Sequence, residues 1–467
     1  MTLPEDGRPA AELLDRLAAL RAADLPVRGG KVTAYVYDTG RDAVHDLAAT
    51  AYGEMLEVNC LDPTAFPSIV ALEREVVGAV AAELGGGTGV FTSGGTESIM
   101  LAVKAARDAR PVAGRPQIVL PTTAHPAFHK AAHYLGMEAV PVDVDAGFRA
   151  VPASIAAALT PRTVLVVASA PSYPQGAMDP IPEIAAIASA AGVPCHVDAC
   201  VGGWVLPWLR DAGRDVPPFD LSVPGVTSLS CDLHKYGYAP KGASVVLFAD
   251  PALRRRAYFA SAEWPGYTVI NSGVQSSKSA GPLGAAWATL GAVGAAGYRD
   301  LAVRAMDSAE RLIAGLPDGL RVLGDPVVPL VAVASDDPAL DVFALADEAR
   351  ARGWFFQPQL SYRGIPANLH FTITGVSDTG ALLGALADAA KAARAAGPPA
   401  VPDGLVDAIA ALDLDTIDDA GFAELLASVG ADPSGGGGMA IVNAVLDALP
   451  PATREGLLIR FLSALYA

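Results

Sequence analysis

With 467 residues, 52% of them hydrophobic and only 18% charged, the chain is too apolar to be disordered and long enough for two or three domains around a large core. A formal charge of −17 leaves no broad basic field, which argues against a general nucleic-acid binder while allowing a local anion pocket built from backbone amides. Residues 1–8 carry acids and a proline rather than a secretory start. No apolar stretch reads as a membrane span, and Cys60, Cys195, Cys200 and Cys231 have no zinc-like spacing. A cytoplasmic protein with no transmembrane segment and no metal site is therefore expected.

Apolar periodicity and turn residues place the elements in chain order. Residues 10–22 read as an amphipathic helix ending before Pro26 and the Arg28-Gly29-Gly30 turn. Residues 42–55 read as a second helix, and 68–84, framed by Pro63 and Pro67, as a third. After a glycine-rich turn at 85–89 the chain alternates. Strands are expected at 117–120, 138–142, 163–168, 194–197, 226–230 and 244–248, interleaved with helices at 99–106, 126–135, 152–159 and 181–191. β-Branched runs alternating with Ala-rich helices predict an α/β fold with a mostly parallel sheet covered on both faces. Past Pro282 comes one long helical stretch, 283–314, whose glycines suggest a break. A smaller unit follows, with strands at 320–323, 330–334, 354–357 and 368–373 and helices at 341–351 and 379–395. Helical tail segments at 399–412 and 420–429 and a flexible glycine run at 435–438 precede the final helices. The expected division is a helical amino-terminal segment (1–60), a large domain (61–310) and a small carboxy-terminal α/β domain (311–467).

The chemistry gathers at strand ends. Ser230-Cys231-Asp232-Leu233-His234-Lys235 sets a lysine directly after a histidine, just past the apolar segment 225–229, and Asp198 closes the run 193–197. A lysine able to form an imine, with an acid on a second strand end, is what a pyridoxal phosphate site needs. The plain alternatives are a solvated lysine and a capping acid. Opposite a pyridine nitrogen, Asp198 would keep that nitrogen protonated. Ser93-Gly94-Gly95-Thr96 opens the helix at 99–106, so first-turn amides with the Thr96 and Ser93 hydroxyls can grip a phosphate; an ordinary capped glycine turn has the same residues. His125, ahead of Pro126 at a helix start, has the loop position to lie over a ring. His129 and His133 continue its four-residue spacing, as a partly exposed helix face would.

Together these segments resemble the sphingosine-1-phosphate lyase branch of the group II pyridoxal-phosphate-dependent decarboxylases. The likeness runs through residues 59–68, 91–98, 124–130, 169–176, 197–203 and 230–242, and extends to 437–443 and 461–466. It implies fold type I, with a mostly parallel sheet in the large domain. It also implies a cofactor imine on Lys235, Lys241 in the mobile loop beyond it, Asp198 on the ring nitrogen and His125 stacked on the ring. Gly94, Gly95 and Thr96 would hold the cofactor phosphate, with His234 nearby. Residues 271–281, containing Ser277, would reach the active site across a homodimer interface, and Tyr37 and Asn59 would stand near the substrate.

Three positions depart from the branch. Its usual Tyr-His becomes Tyr37-Asp38, its Ser-Arg becomes Ser277-Lys278, and its Asn after Ala-Pro becomes Ser172. An acid facing a phosphomonoester opposes binding unless Asp38 points away or a cation such as Lys278 or His129 offsets it. The resemblance implies cleavage of a phosphorylated long-chain 2-amino-3-hydroxy base. An L-amino-acid decarboxylase and a catalytically inactive scaffold of the same fold are the competing readings.

Overall fold

The computed structural model describes residues 3–414, 417, 419–428 and 438–466. Three helices lead: α1 (Ala10–Arg21), α2 (Asp42–Glu54) and α3 (Pro67–Glu83), followed by β1 (Thr88–Thr92) and α4 (Gly95–Ala109). Alternation then runs through β2 (Gln117–Pro121), α5 (Ala127–Tyr134), β3 (Glu138–Val142), α6 (Pro152–Ala158), β4 (Thr163–Ser169), α7 (Ile181–Ala190) and β5 (Cys195–Asp198). A short α8 (Leu206–Asp211) precedes β6 (Val226–Cys231) and β7 (Ser244–Phe248). After α9 (Pro251–Ala257), the hairpin of β8 (Phe259–Ser261) and β9 (Val269–Asn271) leads into α10 (Gly281–Ala314). The remaining elements are β10 (Leu320–Leu323), β11 (Leu330–Ser335), α11 (Val342–Ala351), β12 (Gln357–Gln359), β13 (Asn368–Thr372) and α12 (Thr379–Ala396). Four helices close the chain: α13 (Leu405–Ala410), α14 (Asp419–Ser428), α15 (Ala440–Ala448) and α16 (Pro451–Leu465).

The main sheet has the order β1-β7-β6-β5-β4-β2-β3. All neighbours from β3 to β6 pair in parallel, and β7 runs against both β6 and β1. Every residue of β4, Thr-Val-Leu-Val-Val-Ala-Ser, is buried, as a strand covered on both faces requires. One face packs Ile99, Val103 and Phe128 of α4 and α5; the other packs Val77, Ile184 and Leu301 of α3, α7 and α10. Ser169, Asp198 and Ser230 stand in register at the carboxyl ends of β4, β5 and β6, the edge where open α/β sheets place their ligands.

A second, antiparallel sheet, β10-β11-β13-β12, has its own core around Val333, Phe356 and Phe371. The strand expected at 354–357 starts only at Gln357. Phe355 pairs instead with the amino-terminal segment, donating its N–H to the Lys31 carbonyl and accepting from the Thr33 N–H, while Trp354 and Phe356 turn into the core. The long helix breaks at Gly294, whose φ of 63° lies in the left-handed region. Residues 435–437 of the expected glycine run, and Gly437 of the 437–443 segment, lie outside the described residues. No residue of α1 is buried, and Leu13, Leu14, Leu17 and Leu20 are exposed along it.

The two sheets are pinned at Tyr236, whose buried hydroxyl lies 3.0 Å from the Pro329 carbonyl and 2.9 Å from that of Ile373. Tyr236→Phe should lower unfolding stability by about 1–2 kcal/mol, since the Ile373 carbonyl loses its donor while that of Pro329 keeps the Ile373 N–H. The measurement is urea denaturation, and an unchanged midpoint would refute the pinning role.

Candidate active site

β1 ends at Thr92, and the chain turns through Ser93 and Gly94 into α4. Gly94 caps that helix with no side-chain hydrogen bond, so its first amides are not capped by a side chain of that residue. Gly95 admits no side chain. A Cβ there would stand 2.7 Å from Cys200 Sγ and 2.9 Å from both Asp232 carboxylate oxygens. Only bare backbone therefore fits between the turn and the lysine loop. The turn is tied to that loop by a row of hydroxyls: Thr92 to Ser98 at 2.6 Å, Ser98 to Ser244 at 2.9 Å, and Ser244 to Asp232 Oδ1 at 2.6 Å. Because a carboxylate only accepts, Ser244 donates to Asp232, Ser98 to Ser244 and Thr92 to Ser98.

Lys235 Nζ lies 3.0 Å from Asp232 Oδ2, with the two side chains 19% and 3% exposed. Burial works against the ammonium, but Asp232 foremost, and Asp198 more weakly, outweigh it and hold the Lys235 pKa above that of an ordinary lysine. Burial pushes the Asp232 carboxyl upward, yet Lys235, His234 and the Ser244 hydroxyl bring it below the usual range. The pair is therefore ionised, a lysine held ready beside its counter-ion. Asp198 at the end of β5 accepts at Oδ1 from the Cys200 N–H (3.1 Å) and the Ser230 hydroxyl (3.4 Å). The Ala127 N–H donates to His125 Nδ1 at 3.1 Å, leaving Nε2 as the protonated nitrogen, and burial lowers the ring's pKa so that it is neutral. His234 Nδ1 accepts from the Ala243 N–H at 3.3 Å.

Gly94, Gly95, Thr96, His125, Asp198, His234 and Lys235 line one cavity of about 340 Å³. Tyr37 and Lys241 border an adjoining cavity of about 240 Å³ that shares His234. Lys241 is exposed along its stem, but its ammonium bonds the His234 carbonyl at 3.1 Å and lies 5.0 Å from the centre of the Tyr37 ring. Burial, with the nearby Lys235 charge, pulls the Lys241 pKa down to about 8, Asp232 opposing. Burial pushes Tyr37 up to about 12, Lys235 opposing.

The remaining expected residues lie apart from this cavity within the protomer. His129 is exposed on α5 and feels the charge of Glu455 in α16. Lys278 lines a separate cavity of about 440 Å³ with Glu73, and Ser277 is exposed. Asn59 Oδ1 accepts from the Leu61 N–H. Asp38 borders the adjoining cavity with Tyr37 and Lys241, and its two oxygens accept from the Gly29 and Gly40 amides. Ser172 is buried, and its hydroxyl finds no partner. Sequence reasoning assigned no role to Asp232, three residues before Lys235, although its spacing was a signal. It also missed Tyr173, which stacks on His370 at 4.2 Å and donates to Gln357 at 2.7 Å; nothing local in the sequence marks that pair.

These residues fit pyridoxal phosphate: uncapped helix amides for the phosphate, a paired lysine for the imine, a carboxylate and a histidine at the same cavity. The mostly parallel sheet with this site is that of a fold-type-I pyridoxal phosphate enzyme. Residues 32–321 match the pyridoxal-dependent decarboxylase conserved domain, and the chain belongs to that family. Residues 403–464 match the C-terminal HTH domain of pyridoxal-dependent enzymes. In this segment acids far outnumber the two arginines; Arg454 bonds the Asp447 and Leu449 carbonyls and Arg460 that of Ile417, so the unit offers no basic face for a nucleic acid.

Rat sphingosine-1-phosphate lyase 1 is 38% identical over 381 residues, 80% of this chain and 66% of that protein. The chain thus spans just under two thirds of that relative's length. The structure of the Burkholderia pseudomallei sphingosine-1-phosphate lyase is 35% identical and superposes with a TM-score of 0.79, covering 85% of this chain and 94% of that one. A Methanothermobacter thermautotrophicus protein named as a probable L-tyrosine/L-aspartate decarboxylase is 33% identical over 66% of this chain and 85% of its own length. Among the described residues, no helix is long and apolar enough to cross a membrane, and no cluster of three or more His, Cys, Asp or Glu could hold a metal ion.

Gly95→Ala tests the phosphate turn. The added methyl must push against the Cys200 thiol and the Asp232 carboxylate, and the cofactor dissociation constant should rise roughly tenfold or more, the scale of one lost charge-assisted hydrogen bond. Absorbance titration of the apoprotein measures it, and unchanged affinity would place the phosphate elsewhere.

Proposed function

We propose that this chain is a pyridoxal-phosphate-dependent carbon–carbon lyase. Its substrate would be a phosphorylated long-chain 2-amino-3-hydroxy base of the sphingosine-1-phosphate type, cleaved to a fatty aldehyde and phosphoethanolamine. The observation that supports it most is the likeness to the Burkholderia lyase across 94% of that chain, with the cofactor residues of the sequence reading other than Ser277 lining one cavity. When bound, the cofactor would supply an aldehyde for the substrate amine and a sink for the electron pair left at Cα.

The protein's own residues divide the remaining work. The amides of Gly95 and Thr96 and the Thr96 hydroxyl hold the cofactor phosphate, His125 faces the ring, and Asp198 keeps the ring nitrogen protonated. Lys235 carries the cofactor at rest and, at Nζ, can return a proton to Cα. Lys241 Nζ takes the proton of the 3-hydroxyl; with its pKa near 8, an appreciable fraction is a free amine at neutral pH. Tyr37, pushed the other way, remains a donor. All four cysteines are free thiols, which supports a cytoplasmic setting. The exposure of Ser277 on its segment supports a homodimer in which residues 271–281 complete the neighbouring site.

A second reading, amino-acid decarboxylation, has one observation in its favour: His129 and Lys278, the cations expected at the substrate phosphate, do not line the cavity. Holoenzyme incubated with dihydrosphingosine-1-phosphate, and separately with a panel of amino acids, should form aldehyde from the first and no CO₂ from the second. CO₂ without aldehyde overturns the lyase assignment. Loss of aldehyde formation and of the cofactor absorbance band in folded Lys235→Ala would confirm the attachment site.

The deprotonated fraction of Lys241 grows as pH passes through about 8, so kcat/KM should climb there. In Lys241→Met the rise should vanish and the rate fall by about 100-fold or more. A rise that survives the substitution removes Lys241 as the base.

A further inference from the structure

Glu97 lies in the first turn of α4 and is buried, 7% exposed. Its carboxylate spans two segments that are far apart in sequence. Oε2 accepts from the Ser93 N–H and the Ser93 hydroxyl, both at 2.7 Å. Oε1 accepts from the Val274 N–H at 2.6 Å. Ser93 opens the cofactor turn; Val274 sits in the strap from Asn271 to Gly281, between β9 and α10.

Among the described residues, the strap is otherwise held where Asn271 pairs with Phe259 of β8 and at its far end. There the Cys60 N–H donates to the Lys278 carbonyl, the Ala280 N–H to the Val58 carbonyl and the Ser279 hydroxyl to the Leu56 carbonyl. Ser272 and residues 274–277 are exposed. Gly273 passes so close that a Cβ on it would stand 2.6 Å from Glu97 Oε1 and 3.4 Å from Lys278 Nζ. By taking the Ser93 amide and hydroxyl, Glu97 also fixes the turn whose next residues, Gly94, Gly95 and Thr96, line the cavity.

We propose that Glu97 is a positioning residue that couples the cofactor-phosphate turn to the strap, so that loading the turn and ordering residues 271–278 are one event. This rests on the reading that the cofactor phosphate occupies that turn. A phosphate drawn onto the Gly95 and Thr96 amides steadies the turn and with it Ser93, and through Glu97 steadies the Val274 amide. The strap carries Ser277, so the coupling would make the shape a protomer presents on this segment depend on its own cofactor.

Hydrogen–deuterium exchange of apo and cofactor-loaded full-length protein tests this. In the wild type, loading should slow exchange of peptides covering 271–278 by about tenfold. In Glu97→Ala the loading effect on those peptides should shrink to about twofold or less, while the cofactor dissociation constant rises by about three- to tenfold. Val274→Pro removes only the strap's donor, at an exposed position, and should abolish the same loading effect even if Glu97→Ala proves unstable. Strap protection on loading that persists in either variant overturns the coupling. So does loss of protection in Glu97→Ala that extends equally to peptides from β5, which marks general loosening. A wild type that takes up cofactor, by its absorbance band, without protecting the strap also overturns it. A wild type that takes up no cofactor defeats the functional reading as well, so the two failures are distinguishable.

Discussion

The ion pair of Lys235 and Asp232 constrains everything built around it. A lysine at the carboxyl edge of a buried sheet is useful only if it is dry enough to be reactive and charged until it is needed, and those demands conflict. Asp232 resolves the conflict at 3.0 Å. It then needs its own remaining oxygen satisfied, which Ser244 does from the neighbouring strand β7. Ser244 is fixed in turn by Ser98 on α4 and Thr92 on β1, so the antiparallel placement of β7 between β6 and β1 is part of the lysine's support. Removing Asp232 alone would strand a buried ammonium, a cost on the order of 3–5 kcal/mol. The same contact excludes any side chain at Gly95, so the phosphate turn and the lysine's counter-ion specify one another.

This arrangement explains which parts of the molecule were legible in its sequence. The cofactor end is made of loops that each follow one strand: 93–96 after β1, 125 after β2, 198 at the end of β5 and 234–235 after β6. Each is a short motif whose residue types announce its chemistry, and the parallel topology brings the strand ends together. The long apolar runs and Ala-rich helices likewise marked the parallel sheet. β8 and β9 escaped because they are only three residues long, and the start of β1 was absorbed into the glycine turn expected at 85–89. The expected strand at 354–357 failed for a different reason: Phe355 found its backbone partners in the amino-terminal segment, Lys31 and Thr33, and no local pattern reports so distant a pairing.

The substrate end was less legible because it is assembled from contacts between distant parts of the chain. Tyr37 comes from the segment before α2 and meets Lys241 beyond β6. Tyr173 bonds Gln357 from the second sheet, and Gln357 bonds Tyr35 in turn. Asp38 looked on sequence like a repulsive charge in a phosphate pocket; it does border the cavity of Tyr37 and Lys241, with one backbone amide, Gly29 or Gly40, on each carboxylate oxygen. Lys278 looked like that acid's compensation; it is instead placed near Glu73 and Glu97, whose carboxyls its charge pulls downward. Reading both as a matched departure from the family was reasonable chemistry applied to residues that do not face one another.

The separation has a physical origin. An imine lysine, a phosphate cradle and a ring-nitrogen acid must keep fixed mutual positions whatever the substrate, so they sit on the rigid strand ends of one sheet, where burial and a row of hydroxyls leave little freedom. Groups that meet the substrate need only reach the mouth of that cavity, and they arrive on the amino-terminal segment, the second sheet and the loop beyond Lys235. The departures from the branch at Tyr37-Asp38 and Ser172 fall on such segments, outside the residues that line the cavity of Lys235. The same fold and cofactor residues can therefore serve either bond cleavage, at Cα–Cβ or at the carboxylate. The choice between them rests on the segments that meet above His234, not on the sheet beneath it.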